Sequence, residues 1–109
     1  MRVLLDECLP LDFRHDLRGH DARTAQWAGF KGKKNGELLQ AAEAAGYEVL
    51  LTVDQGITHQ VQLSGRAIAE IVLHSRTNQI QDLRPLVGAV LKALRSLQPG
   101  QVIAVGLPA

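Results

Sequence analysis

Residues 2–7, Arg-Val-Leu-Leu-Asp-Glu, decide the fold of this chain. The apolar run lacks polar alternation, which is typical of a strand covered on both faces, as in a parallel sheet. Asp6 and Glu7 then mark the carboxyl end of that strand. Ligands of open parallel α/β sheets bind beyond the carboxyl ends of the strands, so this stretch predicts both a fold class and the edge where a site would lie.

Strands and helices alternate along the rest of the chain. The predicted elements are a helix from Pro10 to near Gly19, a strand 20–25, a loop 27–34, a helix 36–45 capped by Asn35 and closed by Gly46, strands 48–53 and 67–73, one long amphipathic helix from Asp82 to Leu97, and a last strand 101–105. Pro85 suits the first turn of the long helix. The alternation predicts a three-layer α/β/α sandwich with a central, mainly parallel sheet, formed by a single domain over residues 1–109.

Composition favours a domain that folds without disulfides. The chain has 109 residues, 46% of them hydrophobic and 4% aromatic, so we expect an aliphatic core. The formal net charge is +1, so any affinity for a polyanion must come from local clusters. The single Cys8 excludes an intramolecular disulfide and is expected to be a small buried hydrophobe. No stretch is long enough for a membrane span, and charge comes too early for a signal peptide, so we expect a cytoplasmic protein.

Carboxylates from separate segments are expected at one edge of the sheet. Asp6, Glu7 and Asp54 follow predicted strands, and Glu37 lies in the first turn of a helix that can begin at the same edge. Hard cations such as Mg²⁺ or Mn²⁺ prefer oxygen ligands, and carboxylates crowded together repel one another unless an ion is bound. The pattern therefore suggests a metal site for phosphodiester hydrolysis. The alternative is that Glu37 stabilises its helix through the dipole and that Asp54 caps a turn.

The ordered set of motifs resembles the short PIN-like proteins. The residues that carry the resemblance are Val-Leu-Leu-Asp-Glu-Cys-Leu-Pro at 3–10, Gly-His-Asp-Ala-Arg-Thr at 19–24, Lys-Asn-Gly-Glu-Leu-Leu at 34–39, Leu-Leu-Thr-Val-Asp at 50–54, Leu-Ser-Gly-Arg at 63–66 and Leu-Gln-Pro-Gly-Gln-Val at 97–102. No single motif is specific, but together they cover almost the whole chain in order.

This resemblance implies a PIN-like fold with an acidic ring that binds Mg²⁺ or Mn²⁺ for ribonuclease chemistry. It implies Asp6 as the first-strand metal ligand, Glu37 as the mid-chain acid, Asp54 as the acid of the T-x-D motif and Glu7 as a neighbouring acid. One departure matters, because many PIN proteins place a further Asp soon after the T-x-D acid, whereas residues 55–58 here are Gln-Gly-Ile-Thr. Cys8 also stands where relatives commonly have Asn.

Other residues near the acids have two interpretations each. Lys31, Lys33 and Lys34 could position an RNA backbone or form a solvated loop. The aromatic residues Trp27 and Phe30 could stack on bases, but such residues are more often core or dimer contacts. Two further residues are candidates for a supporting role: Thr52 could orient a neighbouring acid, and His59 could serve as a metal ligand, proton shuttle or phosphate contact.

The leading functional hypothesis is a metal-dependent endoribonuclease that hydrolyses RNA, as the toxin of a toxin–antitoxin pair with an antitoxin protein as partner. The alternative is a non-catalytic PIN-like module that binds a partner protein or RNA, which the missing fourth acid favours. A receiver-like phosphate-accepting domain is a weaker third hypothesis, because no Lys follows the strand ending at Leu73. The last helix could serve a homodimer, although its leucine spacing is equally explained by core packing.

Overall fold

Five parallel strands and four helices make up the computed structural model, which describes residues 1–33, 35–53 and 65–106, without the side chain of Asn35. The strands are β1 (Arg2–Leu5), β2 (Asp21–Thr24), β3 (Val49–Val53), β4 (Ala69–Leu73) and β5 (Val102–Val105), and the helices are α1 (Phe13–Asp16), α2 (Asn35–Ala44), α3 (Ile80–Leu83) and α4 (Val87–Ser96). The strand order is β2-β1-β3-β4-β5, and every pairing is parallel. The prediction of an α/β fold with a parallel central sheet is confirmed.

Both faces of the sheet are covered, as the apolar runs predict. In β1 the side chains of Val3, Leu4 and Leu5 are fully buried, and every residue of β3 is buried. Val3 and Leu5 belong to the core cluster that contains the buried residues of α1, α3 and α4. Leu4 belongs to the second cluster, with the buried residues of α2. Helices therefore lie on both faces, an arrangement consistent with a three-layer sandwich.

The helical connections do not all have the same hand. The connection from β1 to β2 crosses the α1 face toward the β2 edge of the sheet. The connection from β2 to β3 crosses the α2 face toward the β5 edge. The connection from β4 to β5 also runs toward the β5 edge, but its helices α3 and α4 lie on the α1 face, so its hand is opposite to that of the other two. Because one hand prevails strongly in parallel sheets, this sheet carries at least one unusual connection. As a result α1 lies beside the β4–β5 connection, and Arg84 Nε is 3.3 Å from Asp16 Oδ2.

The predicted single helix from Asp82 to Leu97 is wrong, because a 3₁₀ turn at Arg84–Leu86 separates α3 from α4. The helical segment begins at Ile80, two residues before the predicted start, so Pro85 falls beyond the first turn. There its missing N–H would interrupt the α-helical hydrogen bonds, and the chain tightens instead. None of the described helices is long and apolar enough to cross a bilayer.

The first helix is also shorter than predicted. Its flanks are tight turns in which Phe13 N–H donates to Pro10 O and Leu17 N–H donates to Arg14 O, each spanning three residues. Only Phe13–Asp16 forms a regular helix, and the turns carry the apolar side chains of the predicted face. Phe13 and Leu17 are buried, but Leu11, the third apolar residue of the predicted helix face, is 59% exposed, so only part of that face is directed to the core.

We expect Phe13→Ala to lower the free energy of unfolding by about 3–5 kcal/mol, because the ring is fully buried and its loss leaves a cavity. The control Val102→Ala removes methyl groups from a side chain that is 54% exposed, and its effect should stay within about 0.5 kcal/mol. Urea denaturation followed by circular dichroism measures both. Equal effects of the two substitutions would contradict the assignment of Phe13 to the core.

Candidate functional site

The carboxyl ends of the first three strands meet around Asp6. The Asp6 N–H donates to Leu51 O at 2.9 Å, which continues the β1–β3 ladder by one residue. On the other side of β1, the Ala25 N–H donates to Leu5 O at 2.8 Å. Asp6 therefore lies at the middle of this edge, between the chain that leaves β2 and the end of β3.

Two hydrogen bonds hold the Asp6 carboxylate. The Glu7 N–H donates to Asp6 Oδ1 at 2.7 Å, and Thr52 Oγ1 donates to Asp6 Oδ2 at 2.8 Å. Thr52 belongs to β3 and is only 4% exposed, so its hydroxyl has a fixed position. Each carboxylate oxygen thus has one donor among the residues that the structure describes, which leaves lone pairs for a further partner. The arrangement orients a half-buried carboxylate at the edge of the sheet.

Cys8 extends this pair into a chain of three polar groups. Its Sγ lies 3.7 Å from Thr52 Oγ1. Because the Thr52 proton is directed to Asp6, the thiol is the donor in this contact. Burial raises the pKa of the Cys8 thiol, a backbone hydrogen bond from Val53 partly offsets the rise, and the negative charge of Asp6 adds to it. The thiol is therefore protonated at neutral pH, a state unsuited to nucleophilic attack.

Glu7 joins the acidic loop to the basic loop that follows β2. Its Oε1 accepts a hydrogen bond from the Gly32 N–H. Gly32 has φ of +87°, a left-handed conformation that glycine adopts without strain. The neighbouring Lys31 is exposed, and the Lys33 N–H donates to Phe30 O at 3.0 Å. A carboxylate of the first loop thus fixes the backbone of the second loop between Lys31 and Lys33.

A cleft of about 260 Å³ lies between these two loops. The loop after β1 leads to α1 on one face of the sheet, whereas the loop after β2 leads to α2 on the other. Such divergence opens a crevice at the carboxyl edge, where ligands of α/β sheets bind. The described residues that line the cleft are Asp6, Glu7, Leu9, Leu11, Thr24, Gln26 and Lys31. It therefore combines two carboxylates, one ammonium group and an apolar wall.

The structure brings together part of the predicted site. One cleft is lined by Asp6, Glu7 and Lys31, and the Thr52 hydroxyl donates a hydrogen bond to Asp6. Glu37 is exposed in the first turn of α2 and is not among the described residues of the cleft. Its helix nevertheless begins directly after the loop that Glu7 holds, so the predicted role of Glu37 stays a prediction.

Three predicted site residues, Lys34, Asp54 and His59, lie outside the described residues. Within residues 1–33, 35–53 and 65–106, no group of three or more His, Cys, Asp or Glu side chains is placed to hold a metal ion. Asp54 follows Val53, the last residue of β3, directly in sequence. The metal site that requires Asp54 therefore also stays a prediction.

Sequence reasoning missed the cleft residues Thr24 and Gln26, together with the apolar wall of Leu9 and Leu11. The same rule that singles out Asp6 could have found Thr24, since it is the last residue of β2 and strand ends share one edge. The carbonyl of Cys8 accepts a hydrogen bond of 2.9 Å from Asn78 Nδ2, so the loop after β4 also supports this region. No sequence pattern indicates that contact across 70 positions.

Comparison of the chain with models of protein families, with curated proteins and with solved structures finds no match. The chemical interpretation of the cleft therefore rests on its own residues: an oriented carboxylate, a second carboxylate tied to a basic loop, and a lysine that lines the same cleft.

We expect Cys8 to react slowly with iodoacetamide at pH 8 and faster once the pH exceeds 9.0, the ordinary thiol pKa. The folded state retains the Cys8 thiol proton to higher pH than the unfolded chain does. The contribution of the protonated thiol to the free energy of unfolding is therefore fully present below the ordinary pKa. That contribution is lost as the pH rises through the raised pKa. Mass spectrometry gives the alkylation rate, since the chain has one cysteine. Alkylation at pH 8 as fast in the native as in the urea-unfolded protein would contradict this prediction.

Proposed function

We propose that this chain is a PIN-like, metal-dependent ribonuclease whose site is the cleft at the carboxyl edge of the sheet. The observation that carries the proposal is the fixed carboxylate of Asp6, which receives one hydrogen bond on each oxygen and borders a cleft that also contains Glu7 and Lys31. A carboxylate oriented by its neighbours and open to a cleft is suited to hold a ligand. The PIN-like resemblance of the sequence supports the same site.

The residues present fit a hard divalent cation. With respect to residues 1–33, 35–53 and 65–106, Asp6 keeps a lone pair on each oxygen, and Glu7 uses Oε1 in its bond to Gly32. Mg²⁺ commonly uses one or two protein carboxylates and completes its shell with water and substrate phosphate. Asp6 and Glu7 meet that need from the described residues. In the proposal, Asp54 after β3 and Glu37 in α2 complete the acidic set.

The cation supplies activation of water and neutralisation of charge on a phosphate. The residues of the chain position the cation and the phosphate of the substrate. Asp6, held by Thr52, fixes one ligand position at the end of β1, and Glu7 keeps the basic loop beside it. Lys31 then offers a positive charge to a phosphate of the substrate within the same cleft.

RNA is the proposed substrate, and the PIN-like resemblance supports a role as the toxin of a toxin–antitoxin pair. Such a toxin would require an antitoxin protein that covers the cleft or its lysines. Gene neighbourhood bears on this part of the proposal independently of the chemistry, because an antitoxin is expected to be encoded beside its toxin.

Substitution of Asp6 or Asp54 by asparagine should abolish cleavage of single-stranded RNA. We expect no detectable product from Asp6→Asn or Asp54→Asn in Mg²⁺ or Mn²⁺, and none from the parent protein in EDTA, because the metal ligands are lost or the metal is removed. Glu48→Gln is the control, since Glu48 precedes β3 at the amino edge of the sheet and glutamine keeps a side-chain oxygen that can accept the Arg2 N–H. Circular dichroism shows whether each variant is folded. Undiminished cleavage by both folded acid variants would end the ribonuclease proposal.

Thr52 should act by positioning Asp6. Thr52→Val keeps the shape of the side chain but removes the hydroxyl, so we expect Mn²⁺ affinity and cleavage to fall by about 10- to 100-fold. Thr52→Ser restores the donor and should recover most of both. Isothermal titration with Mn²⁺ measures the affinity separately from activity. Equal Mn²⁺ affinity of the valine and serine variants would show that the hydroxyl does not position a metal ligand.

The second candidate function is a non-catalytic module that binds RNA or a partner protein. The sequence after Asp54 favours it, because residues 55–58 provide no further carboxylate, and so does the lack of a group of three potential metal ligands among the described residues. Binding of RNA without turnover at any Mg²⁺ or Mn²⁺ concentration would distinguish this function from the first.

A further inference from the structure

Trp27 is exposed beside the cleft, unlike the other aromatic residue of its loop. The Trp27 side chain is 63% exposed, whereas Phe30 is half-buried and packs against the core cluster on the α2 face. Of the expected core or dimer contacts, a core contact fits Phe30 and does not fit Trp27, whose dimer contact stays a prediction. A large aromatic surface is left facing solvent.

The exposed ring is held in place. The Trp27 N–H donates to Thr24 Oγ1 at 3.1 Å, which fixes the backbone at the end of β2. The Arg23 guanidinium carbon lies 4.4 Å from the centroid of the indole ring. Arg23 is itself fixed, since its Nε is 3.0 Å from Asp21 Oδ1. An aromatic ring stacked on a guanidinium group and anchored to a strand end is ordered before any ligand arrives.

The Trp27 ring is adjacent to the cleft, because both its hydrogen-bond partner and the residue before it in sequence line the cleft. Thr24, which accepts the Trp27 hydrogen bond, lines the cleft, and so does Gln26, the residue before Trp27. A chain-like ligand whose phosphate contacts Lys31 in the cleft would reach the indole surface with a neighbouring group.

The charge of this segment favours a polyanion. Residues 22–36 contain the basic residues Arg23, Lys31, Lys33 and Lys34 and no acidic residue. The rest of the chain has eight basic and eleven acidic residues, so the net charge of the whole chain is only +1. Positive charge is therefore concentrated in the segment that contains the exposed tryptophan, as in proteins that bind single-stranded nucleic acids through a basic groove and aromatic platforms.

We propose that Trp27 is a stacking platform for one base of a single-stranded RNA whose phosphate occupies the cleft. This inference rests on the proposed function and adds the class of substrate to it. Bases of a duplex are stacked on one another inside the helix, whereas an unpaired base offers a free face to the indole ring. Stacking tolerates every base, so the platform selects single strands rather than a sequence.

The test uses the fluorescence of Trp27, which is the only tryptophan of the chain. Oligouridylate and oligoadenylate are titrated in EDTA at low salt, so that cleavage does not occur, and a blunt RNA duplex is the comparison. Quenching and a shift of the emission are expected with the single strands and not with the duplex. Because a base close to the indole alters its emission directly, this measurement reports the contact itself.

Affinity is measured in parallel by anisotropy of a labelled oligouridylate. Trp27→Ala should weaken binding by about 5- to 100-fold, the effect of losing one stacked base, and Trp27→Phe should retain most of the affinity. Val102→Ala, an exposed apolar residue on the edge strand β5, is the matched control and should bind as the parent does.

Unchanged Trp27 emission on saturation with the single strands, or equal affinity of Trp27→Ala and the parent, would overturn the proposal and leave the exposed ring to a protein partner. The two proposals fail separately. Loss of cleavage in Asp6→Asn without quenching in the parent would keep the ribonuclease and remove the platform. Quenching without cleavage in any metal would keep the platform and remove the enzyme.

Discussion

The burial of Val3, Leu4 and Leu5 in β1 on all sides is the constraint on which the rest of the structure depends. This strand pairs with β2 on one edge and β3 on the other, and helices cover both of its faces. A charged side chain at one of these three positions would lose its hydration without compensation. Polar chemistry can therefore begin only where the strand ends, and Asp6 is the first residue at which it does. The position of the site follows from the position of the core.

The same constraint explains the donor to Asp6. Thr52 is the one polar residue in the strand Val49–Val53, and valine would fit the same volume. A buried hydroxyl is tolerated when it is hydrogen-bonded, and here it donates to Asp6 and lies beside the Cys8 thiol. The hydroxyl therefore does not serve packing alone. Its position places it against Asp6, the first carboxylate after β1.

Much of the fold could be predicted because strongly buried strands have continuous apolar sequences. The strand 2–5 has the predicted bounds, and the strand predicted at 48–53 is found at Val49–Val53. The interruption at Arg84–Leu86 was not predictable from periodicity, because it depends on where the preceding helix begins. A start two residues earlier moves Pro85 from a tolerated position to one where the missing N–H matters.

The candidate site was predictable only where it depends on strand ends. Asp6 follows from that rule, but the bond from Gly32 to Glu7 joins residues 25 positions apart and depends on the path of the loop after β2. That path also decides the exposure of the two aromatic residues. Ala28 N–H donates to Thr24 O and Phe30 N–H donates to Ala25 O, so the chain turns back on itself within six residues. Since Ala25 and Phe30 face the core, the intervening Trp27 is directed outward. Local hydrogen bonding, which hydropathy does not encode, thus places a basic, aromatic loop against the acidic carboxyl end of β1.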